Sequence, residues 1–159
     1  MIAQLDAIDW KILALLQSEG RMTNVELARR VGISPPPCLR RVRGLEEAGL
    51  ITGYRALLDI KRLGCEVLAF AMVGLHSQAD HDLKAFEAQV QAWSVVRECI
   101  MLSGEADFIL KCVAHDLSSF QNFIINDLTR TPNVAHVKTT LAIRVTKDEA
   151  MMPINAADR

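Results

Sequence analysis

Between residues 21 and 43 the chain sets six arginines (Arg21, Arg29, Arg30, Arg40, Arg41 and Arg43) against one acid, Glu26. Guanidinium groups at this density suit charge-assisted hydrogen bonds to phosphate oxygens and two-pronged bonds to the O6/N7 edge of guanine. The whole chain of 159 residues carries a net charge of −1, so the signal lies in distribution: residues 1–62 sum to +3 and residues 63–159 to −4. A basic stretch on a near-neutral chain fits a nucleic-acid footprint. A solvated helix face would carry the same charge, so the elements holding these arginines decide between the two.

Other chemistry is thinner. Cys38, Cys65, Cys99 and Cys112 form no Cys-x-x-Cys pair and have no His-x₃-His partner, so they read as reduced, small apolar residues rather than metal ligands. His76, His81, His115 and His136 are scattered. The order of residues suggests no Ser/His/Asp or Cys/His constellation and no phosphate-cradling glycine loop, so neither an enzyme nor a cofactor is expected. No run reaches the ~18 apolar residues of a membrane span. Met1–Asp6 lacks the pattern of a signal peptide, which points to a cytoplasmic protein.

The arginines fall among three short helices. Asp6 and Asp9 form a variant capping box ahead of Ile8, Ile12, Leu15 and Leu16, and Gly20 is expected to end that helix. Thr23 and Glu26 form a capping box for a second helix with Val25, Leu27, Ala28 and Val31 as apolar positions, stopped by Gly32. Ser34 is expected to cap a third helix that opens with Pro35, Pro36 and Pro37, tolerated because first-turn N–H groups lack intrahelical partners. Gly49 ends it, and Leu50–Ala56 reads as extended, a wing-like strand.

Two helices joined by the turn Val31-Gly32-Ile33-Ser34 make a helix-turn-helix, whose second helix lies in the major groove. At ~100° per residue, Cys38, Leu39, Val42 and Leu45 face the core, while Pro36, Pro37, Arg40, Gly44 and Glu47 face away. Arg40 is therefore the first candidate for a base contact and Arg43 for a phosphate. Arg41, nearest the apolar face, is either a phosphate contact or a structural ion pair with a glutamate. Thr23 and Asn24 are placed to donate to a phosphate at the start of the second helix, and Arg55 to reach one from the wing. Ser34, Pro36 and Pro37 complete the candidate DNA-binding set.

Beyond about residue 63 the pattern changes. Strands are expected at Val67–Leu75, Val95–Leu102, Phe108–Val113 and Val134–Val145. Helices are expected from Asp82 to about Trp93 and from Asp116 to about Leu128, with Pro132-Asn133 a turn and a loose tail after Lys147. His81–Phe86 echoes His115–Phe120, with Asp82 and Asp116 as caps. The order β-α-β-β-α-β is that of a ferredoxin-like domain.

Several runs together are specific: Leu5-Asp6-x-Ile8-Asp9, Ile12-Leu13-x-x-Leu16, Gly20-Arg21, Glu26-Leu27-Ala28, Val31-Gly32-Ile33-Ser34, Arg40-Arg41-Val42 and Leu45-Glu46-Glu47-x-Gly49-x-Ile51-x-Gly53-Tyr54. With them the sequence, through about residue 146, resembles the leucine-responsive regulatory protein/asparagine-synthesis regulator (Lrp/AsnC) family of transcription regulators. The resemblance implies an α+β chain: a (winged) helix-turn-helix domain at 1–53, a linker or wing strand at 54–64, a ferredoxin-like effector-binding and oligomerisation domain at 65–147, and a tail at 148–159. It implies homodimers that assemble to tetramers, octamers or larger on double-stranded DNA, and an amino acid or related small metabolite as effector, bound between dimers.

In the family's pattern the effector meets a Gly-x-x-Asp turn, here Gly104-Glu105-Ala106-Asp107, with Thr140 and Leu141 at positions that line the same pocket. Gly104 would let the backbone approach a carboxylate, and Asp107 would receive an α-ammonium group. Taken alone, the four residues read as a hairpin turn. Ala106 stands where many members carry a larger residue, which suggests a more open pocket. The alternative reading is a nucleoid-type architectural protein that wraps DNA with little ligand control.

Overall fold

The structure is a computed structural model, and it describes residues 5–149 and 152–154. The expectation of no leader at residues 1–4 and most of the expected loose tail lie outside the described residues. The described residues form two compact units, residues 5–57 with the described part of the tail from 147, and residues 58–146.

The first unit is three helices: α1 (Ala7–Ser18), α2 (Asn24–Val31) and α3 (Pro35–Glu47). Asp6 caps α1 by accepting from the N–H groups of Ile8 and Asp9, and the Asp9 carboxylate accepts from the Asp6 N–H, closing the box. Ile12, Leu27, Ala28, Val31, Cys38 and Leu45 form the core. Ile12 is fully enclosed, and its truncation to alanine should cost roughly 2–5 kcal/mol.

Four local expectations are corrected. Glu19, not Gly20, ends α1. Val25 and Leu39, expected inside, are 66% and 39% exposed: α2 buries Leu27, Ala28 and Val31 instead, and Leu39 sits about 100° around from Cys38, off the Cys38–Leu45 seam of α3. Only half of the second capping box forms: Thr23 accepts from the Glu26 N–H at 3.2 Å, but the Glu26 carboxylate turns to Arg29 and Arg30. Ser34 occupies the cap position of α3 without a side-chain cap bond. A cap hydroxyl accepts from the second or third N–H of its helix, and here those positions are Pro36 and Pro37, which have none.

The two ends of the turn-forming helices use glycine in the left-handed region. Gly32 (φ 83°) closes α2, and Gly49 (φ 70°) follows α3 so that the Leu50 N–H returns to the Leu45 carbonyl. The segment 50–58 forms no strand. It has no ladder partner, so the expected wing strand is absent, although Tyr54 Oη donates to Glu46 at 2.9 Å and ties the segment to α3. The tail is also less free than expected at Met152, whose carbonyl accepts from Gln17 Nε2 at 2.7 Å.

The second unit runs β1 (Val67–Leu75), α4 (Asp80–Val90), β2 (Val96–Met101), β3 (Phe108–Ala114), α5 (Leu117–Asn122) with a π-helical continuation Phe123–Leu128, and β4 (Val134–Leu141). The strands pair antiparallel in the order β2-β3-β1-β4, the split β-α-β arrangement expected of a ferredoxin-like domain. Ala69, Ala71, Val73, Phe108, Leu110 and Cys112 face the helix layer, where Phe86 meets Phe108 at 4.8 Å and Trp93 meets Phe123 at 5.3 Å between ring centroids.

Asp116 caps α5 through the Ser119 N–H at 2.7 Å, but Asp82 caps nothing. Helix α4 starts two residues before it, at Asp80, and Asp82 lies in the first turn as an acceptor for Ser77. Helix α4 ends at Val90 rather than near Trp93. Strand β4 ends at Leu141, not Val145, because its partner β1 starts at Val67 and the last bond is Ala142 N–H to Leu68 O. Ile143 beyond it is 98% exposed.

Candidate DNA-binding face and effector site

In the helical unit, ion pairing sorts the arginines. Glu26 binds Arg29 and Arg30, and Arg30 also reaches Glu19 at 2.6 Å. The Arg29 side chain, then that of Arg30, holds the Glu26 carboxyl down at about 2, against an ordinary value of 4.5. Arg41 bridges Asp9 at 2.7 Å and Asp6 at 2.8 Å. Of the two roles open to Arg41 it takes the ion pair, with aspartates of α1 rather than a glutamate. The Asp6 carboxyl is lowered first by its bond from the Asp9 N–H, then by Arg41.

Arg21, Arg40, Arg43 and Arg55 have no ion-pair partner among the described residues, and all four are exposed. Arg40 and Arg43 are three apart on α3 and therefore neighbours on one face. Pro36 lies on the same outer side, exposed, with Pro37 half-buried. Ser34 is exposed and keeps its hydroxyl free of a capping role. Thr23 is exposed but caps α2.

Asn24 is used inside the unit. Its Nδ2 donates to the Pro35 carbonyl at 2.9 Å, bracing the start of α2 against the start of α3, while its Oδ1 is buried without a partner. Sequence reasoning missed this brace; a side chain that reaches 11 residues onward leaves no local spacing signal. Cys38, beside this face, is fully enclosed, and burial raises its thiol above the ordinary range despite the opposing field of Arg41.

In the sheet unit, the Gly104–Asp107 turn joins β2 to β3. Gly104 is exposed, its φ is not in the left-handed region, and a Cβ there would meet nothing within 4 Å. Neither backbone nor packing within the chain requires glycine at this position. Asp107 accepts from the Leu75 N–H at 2.6 Å through Oδ2 and from Gln78 Nε2 at 2.7 Å through Oδ1. Gln78 and the Leu75 N–H are site partners that the sequence did not announce. Ala106 is 5% exposed, so its methyl group is packed away rather than offered to an open pocket, contrary to expectation.

Thr140 and Leu141 are exposed on β4, opposite Phe70 and Ala69. Asp107 sits at the other end of β1, where its N–H donates to Val73 O and its carboxylate meets Leu75. Three or four residues at ~3.3 Å each, plus two strand spacings of ~4.8 Å, separate the two pairs. One chain does not bring them together. The depression that includes Leu141 is lined by Lys61, Ile143, Arg144 and Thr146, and by neither Gly104 nor Asp107.

The described residues contain no group of three His, Cys, Asp or Glu side chains placed for a metal, and no helix long and apolar enough to cross a membrane. All four cysteines are free thiols.

Comparison with known proteins agrees with both halves. The winged helix-turn-helix DNA-binding model matches residues 5–52, and the Lrp/AsnC ligand binding domain model matches residues 68–152. The chain is 60% identical over 151 residues to the leucine-responsive regulatory protein of Rhizobium meliloti, covering 95% of this chain and 97% of that one. It is 39% identical to the leucine-responsive regulatory protein of Escherichia coli, covering 94% and 92%.

Among solved structures, a transcriptional regulator from Neisseria meningitidis in complex with L-Met is similar with a TM-score of 0.91 and 36% identity, covering 96% of this chain and 98% of that one. Escherichia coli AsnC is similar with a TM-score of 0.82 and 26% identity, covering 91% and 96%. Two further relatives, from Bacillus subtilis and Pseudomonas aeruginosa, are named as transcriptional regulators. With a helix-turn-helix at one end and a ligand-binding domain at the other, the chain belongs to the Lrp/AsnC family of transcriptional regulators.

Proposed function

We propose that this chain represses or activates transcription by reading double-stranded DNA through α3, under control of an α-amino acid bound by its sheet unit. The observation that carries the DNA part is the sorting of arginines. Arg29, Arg30 and Arg41 are neutralised within the fold, while Arg40 and Arg43 stand unpaired side by side on the outer face of α3. Arg40 reads a guanine edge and Arg43 holds a phosphate. Ser34, Thr23 and Arg55 add phosphate contacts, and Pro36 and Pro37 shape the leading edge. Arg41 and Asn24 act by holding α1, α2 and α3 in register.

For the effector, Gly104 supports the reading: a glycine the chain itself does not need leaves room for something outside the chain. Asp107 receives the α-ammonium group. The neighbouring regulator in complex with L-Met makes methionine and other apolar amino acids the first candidates. The distance from Asp107 to Thr140 and Leu141 supports a pocket completed by a second subunit.

A homo-oligomer, built from dimers, fits the sheet face turned away from the helices. There Ile100, Ile109 and Met72 share a cross-strand row, and Ile100 and Met72 are 50% and 37% exposed. Functionally the division falls at 1–53, 54–64, 65–147 and 148–159, and the protein works beside the chromosome in the cytoplasm.

The test is DNA binding upstream of the protein's own gene, titrated with each amino acid at fixed salt. A change in affinity or footprint with one of them supports the sensor. Tight specific binding that none of them alters supports instead the architectural reading, in which multimers wrap DNA by its bendability.

A further inference from the structure

Asp107 is already occupied in the chain alone. We propose that Gln78 is an internal competitor for the effector: its side-chain amide holds Asp107 where the α-ammonium group binds, and must swing away for the effector to enter. This inference rests on the reading that Asp107 receives that ammonium group.

The two oxygens of Asp107 have different partners. Oδ2 accepts from the backbone N–H of Leu75 at 2.6 Å, a fixed donor at the buried end of β1. Oδ1 accepts from Gln78 Nε2 at 2.7 Å, and Gln78 is an exposed residue on a flexible stem. The loop that carries Gln78 does not depend on this bond. Its backbone is held from the other side by Asn133: the Ser77 N–H donates to Asn133 Oδ1 at 2.8 Å, Asn133 Nδ2 donates to the Ser77 carbonyl at 2.8 Å, and the His76 N–H donates to the Asn133 carbonyl at 2.9 Å. Asn133 adopts φ 69°, a left-handed conformation that asparagine tolerates, to make these contacts. The Gln78 side chain can therefore leave while the loop stays.

What replaces it is a stronger donor of the same kind. The amide bond already gains from the charge of the carboxylate, and an ammonium group adds a full positive charge on the donor side, so its bond to Oδ1 is the stronger of the two. The exchange keeps Oδ1 satisfied and leaves Oδ2 on Leu75 throughout. An amide bond of ordinary net strength covers Oδ1 most of the time, so the effector meets only a fraction of open sites. Removing the competitor should tighten effector binding by about threefold to tenfold. It also sets a threshold: a ligand without a cationic amine has nothing to repay the lost amide bond.

The experiment is calorimetric titration of the full chain with L-methionine, and in parallel L-leucine, for the wild type, Gln78→Ala and Asp107→Asn. Asparagine at 107 can still accept from the Leu75 N–H, so that variant keeps the structural contact and loses the charge. We expect Gln78→Ala to bind about threefold to tenfold more tightly, or to bind measurably where the wild type does not, with DNA affinity unchanged, and Asp107→Asn to lose binding.

Unchanged or weaker binding by Gln78→Ala, with Asp107→Asn still abolishing it, overturns the competitor and leaves Asp107 as the ammonium site. Wild-type binding by Asp107→Asn overturns the Asp107 reading and the inference with it. Binding of neither amino acid by either the wild type or Gln78→Ala also overturns the inference.

Discussion

The two candidate sites treat charge in opposite ways. On α3, Arg40 and Arg43 are left without partners while Arg29, Arg30 and Arg41 are neutralised by Glu19, Glu26, Asp6 and Asp9. On the sheet unit, the carboxylate at the centre of the site has both oxygens engaged. A surface that meets a polyanion gains by exchanging condensed counterions for fixed cations, so its charges are best kept free. A site that must respond to a metabolite works by exchange of partners, so its charge is best held by something replaceable. The first arrangement would give affinity; the second would give a set point.

The largest effect should come from breaking the free-charge side. Arg40→Ala is expected to cost about 10- to 100-fold in affinity for the operator, with binding to random DNA little changed, because one bidentate base contact is lost. Competition gel shifts with both DNAs check it; equal loss on both makes Arg40 a phosphate contact. Next is the engaged-charge side. Asp107→Ala leaves the Leu75 N–H unpaired and should lower the unfolding free energy of the sheet unit by about 1–3 kcal/mol, read by denaturant titration, while removing the amino-acid response.

Arg43→Ala should weaken binding to all DNA by a similar factor and reduce the slope of log affinity against log salt by about 1. Affinities at several salt concentrations give that slope. Sequence-dependent loss would move Arg43 to the base edges.

Acid sharpens the comparison within the helical unit. Glu26 titrates lower when folded, at about 2, than its ordinary 4.5, so its ion pairs contribute stability that is fully present above about 4.5 and is lost as pH falls toward 2. Thermal melts of the wild type and Glu26→Gln should therefore converge as pH falls through that window. A difference as large at pH 2 as at pH 5 would assign the effect to something other than the charge.

The smallest structural effect belongs to Gly104→Ala. With open space at the Cβ position and an ordinary φ, stability should change by no more than about 0.5 kcal/mol, while effector response falls. A response as strong as the wild type's would remove Gly104 from the site.

Both folds were legible because their signals are local: caps at Asp6, Thr23 and Asp116, the Gly32 turn, and the apolar run that opens at Phe108. The errors arose where a partner elsewhere decides. Strand β4 stops where its antiparallel partner β1 begins, and residues 50–58 lack a strand to pair with. Site residues divide the same way. Exposure of Arg40 followed from helical phase, whereas the Arg41 bridge to Asp6 and Asp9, the Asn24 brace and the Gln78–Asp107 bond join residues 11 to 35 positions apart. Glu26 was assigned to the Thr23 box by its spacing, but two guanidinium groups outbid one backbone N–H.

The three prolines that begin α3 have a consequence for whatever lies against that end. A helix usually begins with several outward N–H groups, a ready cradle for an anion. Here positions 35, 36 and 37 present pyrrolidine rings instead, and the first N–H, that of Cys38, is turned back to the Ser34 carbonyl at 3.3 Å. The first turn of the helix is therefore stiff and offers no N–H donor outward. The proline rings fit the methyl group of a thymine better than a phosphate oxygen, and their contacts should be among the least sensitive to salt.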